Sequence, residues 1–227
     1  MTEYSRVFQL YEENADAEKA AGMRAYMRNQ FPFLGLTAPV RKNLSKDFLK
    51  AAADKGLADW GFVDLCWKKS PREFQYLAVG YLDAVKDSLG PPDLPRLKRL
   101  AVTKSWWDTI DGLDRIVGHV AHNHREINSI LLKWSLDDNI WLRRIAIDHQ
   151  LARREKTDTA LLRQILINNL GQKEFFVNKA IGWSLREYGK TNPEWVRLFI
   201  DEFRNRLASL SIREGSKYIL AKTPGNP

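Results

Sequence analysis

The 227-residue chain contains one cysteine, Cys66, which excludes a disulfide framework and any cysteine-based metal site. No stretch approaches the roughly 18 uninterrupted apolar residues of a membrane-spanning helix. The opening MTEYSRVFQLYEENADAEK lacks the basic n-region and apolar h-region of a secretory signal, so a cytoplasmic protein, with no membrane partner, is the expectation. No glycine-rich phosphate loop and no nucleophile elbow is found, which leaves a nucleotide cofactor and serine hydrolysis without support. Runs of alternating strand residues are missing as well. Acids are the scarcer charge, 28 Asp and Glu against 36 Lys and Arg, for a net charge of +8. The excess is not gathered in a tail: residues 1–40 hold four basic and five acidic residues, and 41–100 hold twelve and eight. Attraction to a polyanion is therefore expected from a folded surface and not from a flexible arm, although charge of this size also serves solubility alone.

What is present has a helical period. Starts are marked by Thr37 two before Pro39, Ser70 before Pro71, Asp138 or Asn139 before Ile140, Asn192 before Pro193, and Ser211 before IREGSKYIL. Joints fall at DKG (54–56), SLGPP (88–92), HNH (122–124) and GKTN (189–192). The small residues Ala78, Gly112, Ala146, Ala180 and Gly215 recur at intervals of 34, 34, 34 and 35, which is the length of two helices and two turns in an α-solenoid. The reading is an all-α chain, one domain over residues 1–227, built as a superhelical solenoid of HEAT-like helical pairs with a concave basic face.

That repeat sets a register. Five positions before the small residue stand Trp107, Trp141 and Phe175, an aromatic at equivalent height in three consecutive units. Asp111 follows Trp107 by four and Arg144 follows Trp141 by three, both on one helical face. Trp183 lies four beyond Lys179, in a segment that also carries Arg186 and Lys190. Rings interleaved with cations suit nucleic acid, the cations for phosphates and the rings for bases or sugars. Core packing is an equally good account of Trp107 and Trp183, and Trp60, Trp67, Trp134 and Trp195 are assigned to the core. Arg144 has the alternative of pairing with Asp148 at i,i+4, and Asp108 is read as the capping-box partner of Ser105. His119, His122 and His124 cluster at a helix end without the spacing of a metal site.

The stretches MRAYMRNQFPFLG (23–35), SWWDTIDG (105–112), DNIWLRRIAI (138–147) and KEFFVNKAIGWSLREYGKTNP (173–193) closely resemble the bacterial DNA alkylation repair family of AlkD type, over about residues 5–220. The resemblance implies a helical-repeat, monofunctional glycosylase without cofactor or metal, acting as a monomer. Its substrate would be duplex DNA carrying cationic N3- and N7-alkylated purines such as 3-methyladenine and 7-methylguanine, attacked without flipping the base. It implies catalytic roles for Asp111, Trp107 and Trp183, a phosphate contact for Arg144, and a place for Tyr26 near the lesion cleft. Trp141, Lys179, Arg186 and Lys190 are expected on the DNA-binding face. The tail AKTPGNP is short for the family, which bears on DNA grip at the last repeat. A non-catalytic helical-repeat protein binding DNA or RNA is the alternative.

Overall fold

The computed structural model describes residues 3–219, so the tail AKTPGNP lies outside the described residues. These form thirteen α-helices joined by short loops and 3-10 turns, with no strand among the described residues. None of the helices is long and apolar enough to cross a membrane. The architecture is all-helical and consistent with a helical-repeat solenoid. The chain separates into two compact units, Met1–Leu89 and Gly90–Pro227.

The first unit holds α1 (Glu3–Glu13), α2 (Ala17–Tyr26), α3 (Ala38–Lys55), α4 (Trp60–Lys68) and α5 (Arg72–Ala84). Its core is aromatic. Phe62 is fully buried, with ring centroids of Tyr4 at 5.0 Å, Phe48 at 4.8 Å and Tyr81 at 4.9 Å. Buried Glu73 accepts the backbone N–H groups of Leu34, Gly35 and Leu36 at 2.9, 2.9 and 3.2 Å. The guanidinium of Arg72 lies 3.8 Å over the Phe31 ring. Together they pin the segment after α2. Gly35 is obligatory there: its φ is +89° and a Cβ would sit 2.0 Å from the Asp16 carbonyl. No residue of α2 is buried, and Tyr26 at its end is 72% exposed.

The second unit holds α6 (Leu94–Val102), α7 (Trp107–Asn123), α8 (Asn128–Trp134), α9 (Ile140–Asp148), α10 (Thr159–Asn168), α11 (Phe175–Gly189), α12 (Pro193–Phe203) and α13 (Ser209–Gly215). The helices α7, α9, α11 and α13 pack each on the next, while α6 backs α7, α8 and α10 back α9, and α12 backs α11. Four of the five recurring small residues, Gly112, Ala146, Ala180 and Gly215, fall in this inner row, with Ala146 and Ala180 fully buried, while Ala78 lies on α5 of the first unit. The closest approaches, however, are made at other glycines. A Cβ on Gly118 would meet the His149 carbonyl at 2.2 Å, and one on Gly182 would meet Glu214 Cβ at 2.7 Å, beside Gly215 against Leu185.

Several starts follow the expected chemistry. Asn139 and Asn192 accept the N–H of Trp141 and Trp195, and Thr37 stands at the N-cap of α3 ahead of Pro39. Others shift. The N-cap of α5 is Pro71, not Ser70, and α13 begins at Ser209, which leaves Ser211 buried and donating to the Asn178 carbonyl. Trp106 caps α7, Ser105 donates back to the Ala101 carbonyl, and Asp108 accepts from its neighbour Thr109. The Ser105–Asp108 capping box is therefore not formed. Trp67 and Trp134 are core residues as expected, and Trp60 and Trp195 are half-buried.

Two glycines separate crowding from backbone entropy. Gly118→Ala presses on a backbone carbonyl and is expected to destabilise by ~1–3 kcal/mol. Gly22→Ala in α2, where a Cβ meets nothing within 4 Å, is expected to gain up to ~1 kcal/mol. Urea unfolding of the two variants checks the opposite signs.

Candidate functional site

The first turns of α7 place Trp107 and Asp111 one turn apart on one face, both partly exposed. On the adjacent α9, Arg144 points inward: its side chain is 2% exposed, against 19% for Asp111. Its Nε donates to Asp111 Oδ1 at 2.8 Å, and its Nη1 donates to the Phe176 carbonyl of α11 at 2.8 Å. Nη2 lies 3.9 Å from Asp148 Oδ2. The guanidinium also sits 5.1 Å from the ring centre of Trp183 on α11, within cation–π range. Burial opposes the Arg144 charge, but the carboxylates of Asp148 and Asp111 more than offset this and hold its pKa above the ordinary value.

Around Trp183, Lys179 and Arg186 each approach the ring centre to 5.9 Å. Both are tied to Glu214 of α13, at 3.1 and 3.0 Å, and Lys217 joins them at 2.8 Å. Hydrogen bonds from Lys217 and Lys179 pull the Glu214 pKa down to about 2. One carboxylate thus fixes three cations beside a half-buried indole. Asp111, Arg144, Trp183, Lys179 and Arg186 form one connected cluster. Lys190, at the C-cap of α11, instead pairs with Glu187 and lies 5.4 Å over the Tyr218 ring. Tyr26 is exposed in the first unit.

Two placements correct the sequence reading. Trp141, expected on the DNA face, is 8% exposed and packs with Trp106 and Phe176 at 5.8 and 5.0 Å. The 34-residue register fixes its height, while the flanking aromatics decide that it is covered. Arg144, expected at a phosphate, has its donors directed at Asp111 and Phe176 instead. It fixes one oxygen of the Asp111 carboxylate.

The sequence reading passed over Asp114, which is buried, and treated Asp148 only as a rival partner for Arg144. Burial pushes Asp148 up to about 8, with Arg144 pulling down and Asp111 adding to the rise; burial first, then Asp148, raises Asp114. Both Asp148 oxygens and Asp114 Oδ1 lack a hydrogen-bond partner in the protein. Three acids within reach of one arginine, two of them three apart on α7 and one a turn beyond Arg144, were the available signal. Glu214, too, went unremarked beside Gly215.

These shifts carry a stability consequence. An acid whose folded pKa is raised keeps its proton where the unfolded chain has lost it, so Asp148 takes stability away as pH rises from about 4 to about 8. Burial first, then Arg153, lowers the pKa of His149 to about 3. Its contribution is fully present above the unfolded value of 6.5 and is lost as pH falls toward 3. The two oppose one another below pH 6.5, and above it Asp148 acts without His149, in the same direction as the raised Asp114. Stability is expected to fall between pH 6.5 and 8 by up to ~1.4 kcal/mol per pH unit, and Asp148→Asn to flatten that slope in urea titrations.

The sequence matches the model of a family described as DNA alkylation repair enzyme over residues 7–219. A solved structure described as a predicted DNA alkylation repair enzyme from Enterococcus faecalis is 36% identical, superposes with a TM-score of 0.83, and is matched over 92% of this chain and 98% of its own. No curated protein matches. With the family model spanning nearly its whole length, the chain belongs to the DNA alkylation repair enzyme family.

Proposed function

We propose that the protein is a monofunctional glycosylase that hydrolyses the N-glycosidic bond of N3- and N7-alkylated purines in duplex DNA. The observation that carries this reading is the Asp111 carboxyl, partly exposed at the surface and held through one oxygen by a buried arginine. Hydrolysis of a glycosidic bond builds positive charge on the sugar in an oxocarbenium-like transition state. An alkylated purine is already cationic and leaves as a neutral base, so little acid catalysis is needed. The useful protein group is a fixed negative charge facing the sugar. At ~4 Å and an effective dielectric of 20 such a pair attracts by ~4 kcal/mol, and a part of this expressed only in the transition state accelerates the reaction.

Arg144 restricts the carboxylate to one orientation, which spares reorganisation at the moment of reaction. The other Asp111 oxygen is assigned to the sugar or to the attacking water. Trp107, one turn away, and Trp183 supply ring faces on which a developing cation is favoured. Lys179 and Arg186, fixed by Glu214, meet backbone phosphates, with Lys190 and Tyr26 contributing further contacts. Selectivity then follows from the lesion's own charge, and the base stays outside an enclosing pocket.

Asp111→Asn is expected to slow single-turnover release of 7-methylguanine from methylated duplex by ~10²-fold or more, with duplex affinity kept within a few fold. Unchanged rates remove Asp111 from the mechanism. Arg144→Ala leaves Asp111 unheld and takes the positive partner from buried Asp148, and is expected to cost ~3–5 kcal/mol of stability together with rate. The salt dependence of duplex binding is expected to stay as it was, because Arg144 is 2% exposed; a shallower slope would return Arg144 to a phosphate.

A further inference from the structure

Along α7, positions 111, 115, 119 and 122 fall within about 80° of one another at 100° per residue. Arg115, His119 and His122 therefore continue the face that begins at Asp111. They lead into an open groove of about 480 Å³, whose opposite wall is Asp148 and His149 at the end of α9 and the loop that follows. Asp148 belongs to both places, since it lines the groove and stands against Arg144.

The groove has a polar floor and a cationic rim. His149 Nδ1 lies 2.6 Å from the Ala146 carbonyl and so carries the proton, leaving Nε2 as a buried acceptor without a protein partner, beside the unpartnered Asp148 carboxyl. The rim carries Arg115, Arg153, Arg154 and Lys156 against Glu155. Arg153 is anchored, its Nη2 donating to the Gly118 carbonyl at 2.7 Å. Ala152 and Arg154 have φ of 63° and 53°, left-handed values that non-glycine residues adopt rarely, and the loop they shape leaves Arg154 and Lys156 exposed. Cations at the rim turn away a metal ion and favour an anionic ligand. The phosphodiester backbone of DNA fits the rim, where its negative oxygens meet the cations and not the buried acceptors beneath.

We propose that this groove seats a backbone phosphate of the bound duplex, with Arg154 and Lys156 as the contacting cations, at a second point beyond the Asp111 site. The proposal rests on DNA being the substrate. Eleven residues of helix separate Asp111 from His122, about 16 Å at 1.5 Å per residue, or at most about five nucleotides at 3.4 Å each.

The test compares the full chain with an Arg154→Gln, Lys156→Gln double variant on undamaged and methylated duplexes. Both side chains are exposed, so an unchanged thermal transition is expected; Lys156→Gln alone provides a second, milder variant. Loss of this phosphate contact is expected to lower the slope of log affinity against log salt by about 0.9, and the single variant by less. Single-turnover base release at saturating DNA is expected to remain within about two-fold. A walk of neutral methylphosphonates along each strand is expected to weaken wild-type binding most at a site within about five nucleotides of the lesion and to have no such effect at that site on the double variant. An unchanged salt slope, or an equal methylphosphonate response in both proteins, overturns the groove assignment. Absence of base release from methylated duplex, with the slope lowered as expected, overturns the glycosylase reading and leaves the groove standing.

Discussion

The buried guanidinium of Arg144 is the constraint on which the second unit's arrangement turns. A charge at 2% exposure is tolerated only where it is partnered, and here Asp111 from α7 and the Phe176 carbonyl from α11 accept its hydrogen bonds, with Asp148 from α9 itself 3.9 Å away. The planar fork of arginine reaches such divergent acceptors, and an ammonium group would not. The same residue therefore ties together the inner row of helices and orients the one acid of the three that reaches the surface. Packing and the geometry of the site are not separable at this point of the molecule.

Burial sorts the acids around that arginine. Asp148 and Asp114 are driven toward the neutral form, chiefly because they are removed from water, so the surroundings of Arg144 are not overloaded with negative charge. Their unpartnered oxygens are the remaining cost of the arrangement. Buried polar atoms left unmatched are unusual in an otherwise well-packed row, and they lie where the Asp111 site passes into the basic groove.

Much of the fold was legible because it rests on local chemistry. Asn139 and Asn192 cap helices with their own side chains, Pro39 and Pro193 sit in first turns, and Gly56 ends α3 in a left-handed conformation. The interval of 34 residues located the inner helices. It did not say which side of each helix a neighbour covers, and so Trp141 was placed on a surface that Trp106 and Phe176 close off. Nor did it identify the close approach of Gly118 on α7 to the His149 carbonyl. Asp111, Arg144 and Trp183 were singled out by the helical register and by the family resemblance, but the direction of Arg144 depends on the Phe176 carbonyl, a backbone group that no side-chain pattern announces. Asp114 and Glu214 were missed for a related reason, since their partners come from sequence-distant helices.

The charge arrangement supports a division of labour by distance. Glu214 neutralises one of the three cations it gathers, which leaves an excess of positive charge fixed beside Trp183. Such charge acts on a polyanion over about a Debye length, near 10 Å at 0.1 M salt, and weakens as salt is added. The Asp111 carboxyl acts over a few ångströms, in a setting partly shielded from water, where ions intervene far less. On the proposed reading, a positive surface gathers the duplex without cancelling the negative charge offered to the sugar, provided the two are held apart. Arg144 and Glu214 do that holding: one fixes an oxygen of the acid, and the other ties the half-buried cations Lys179 and Arg186 of α11 to α13.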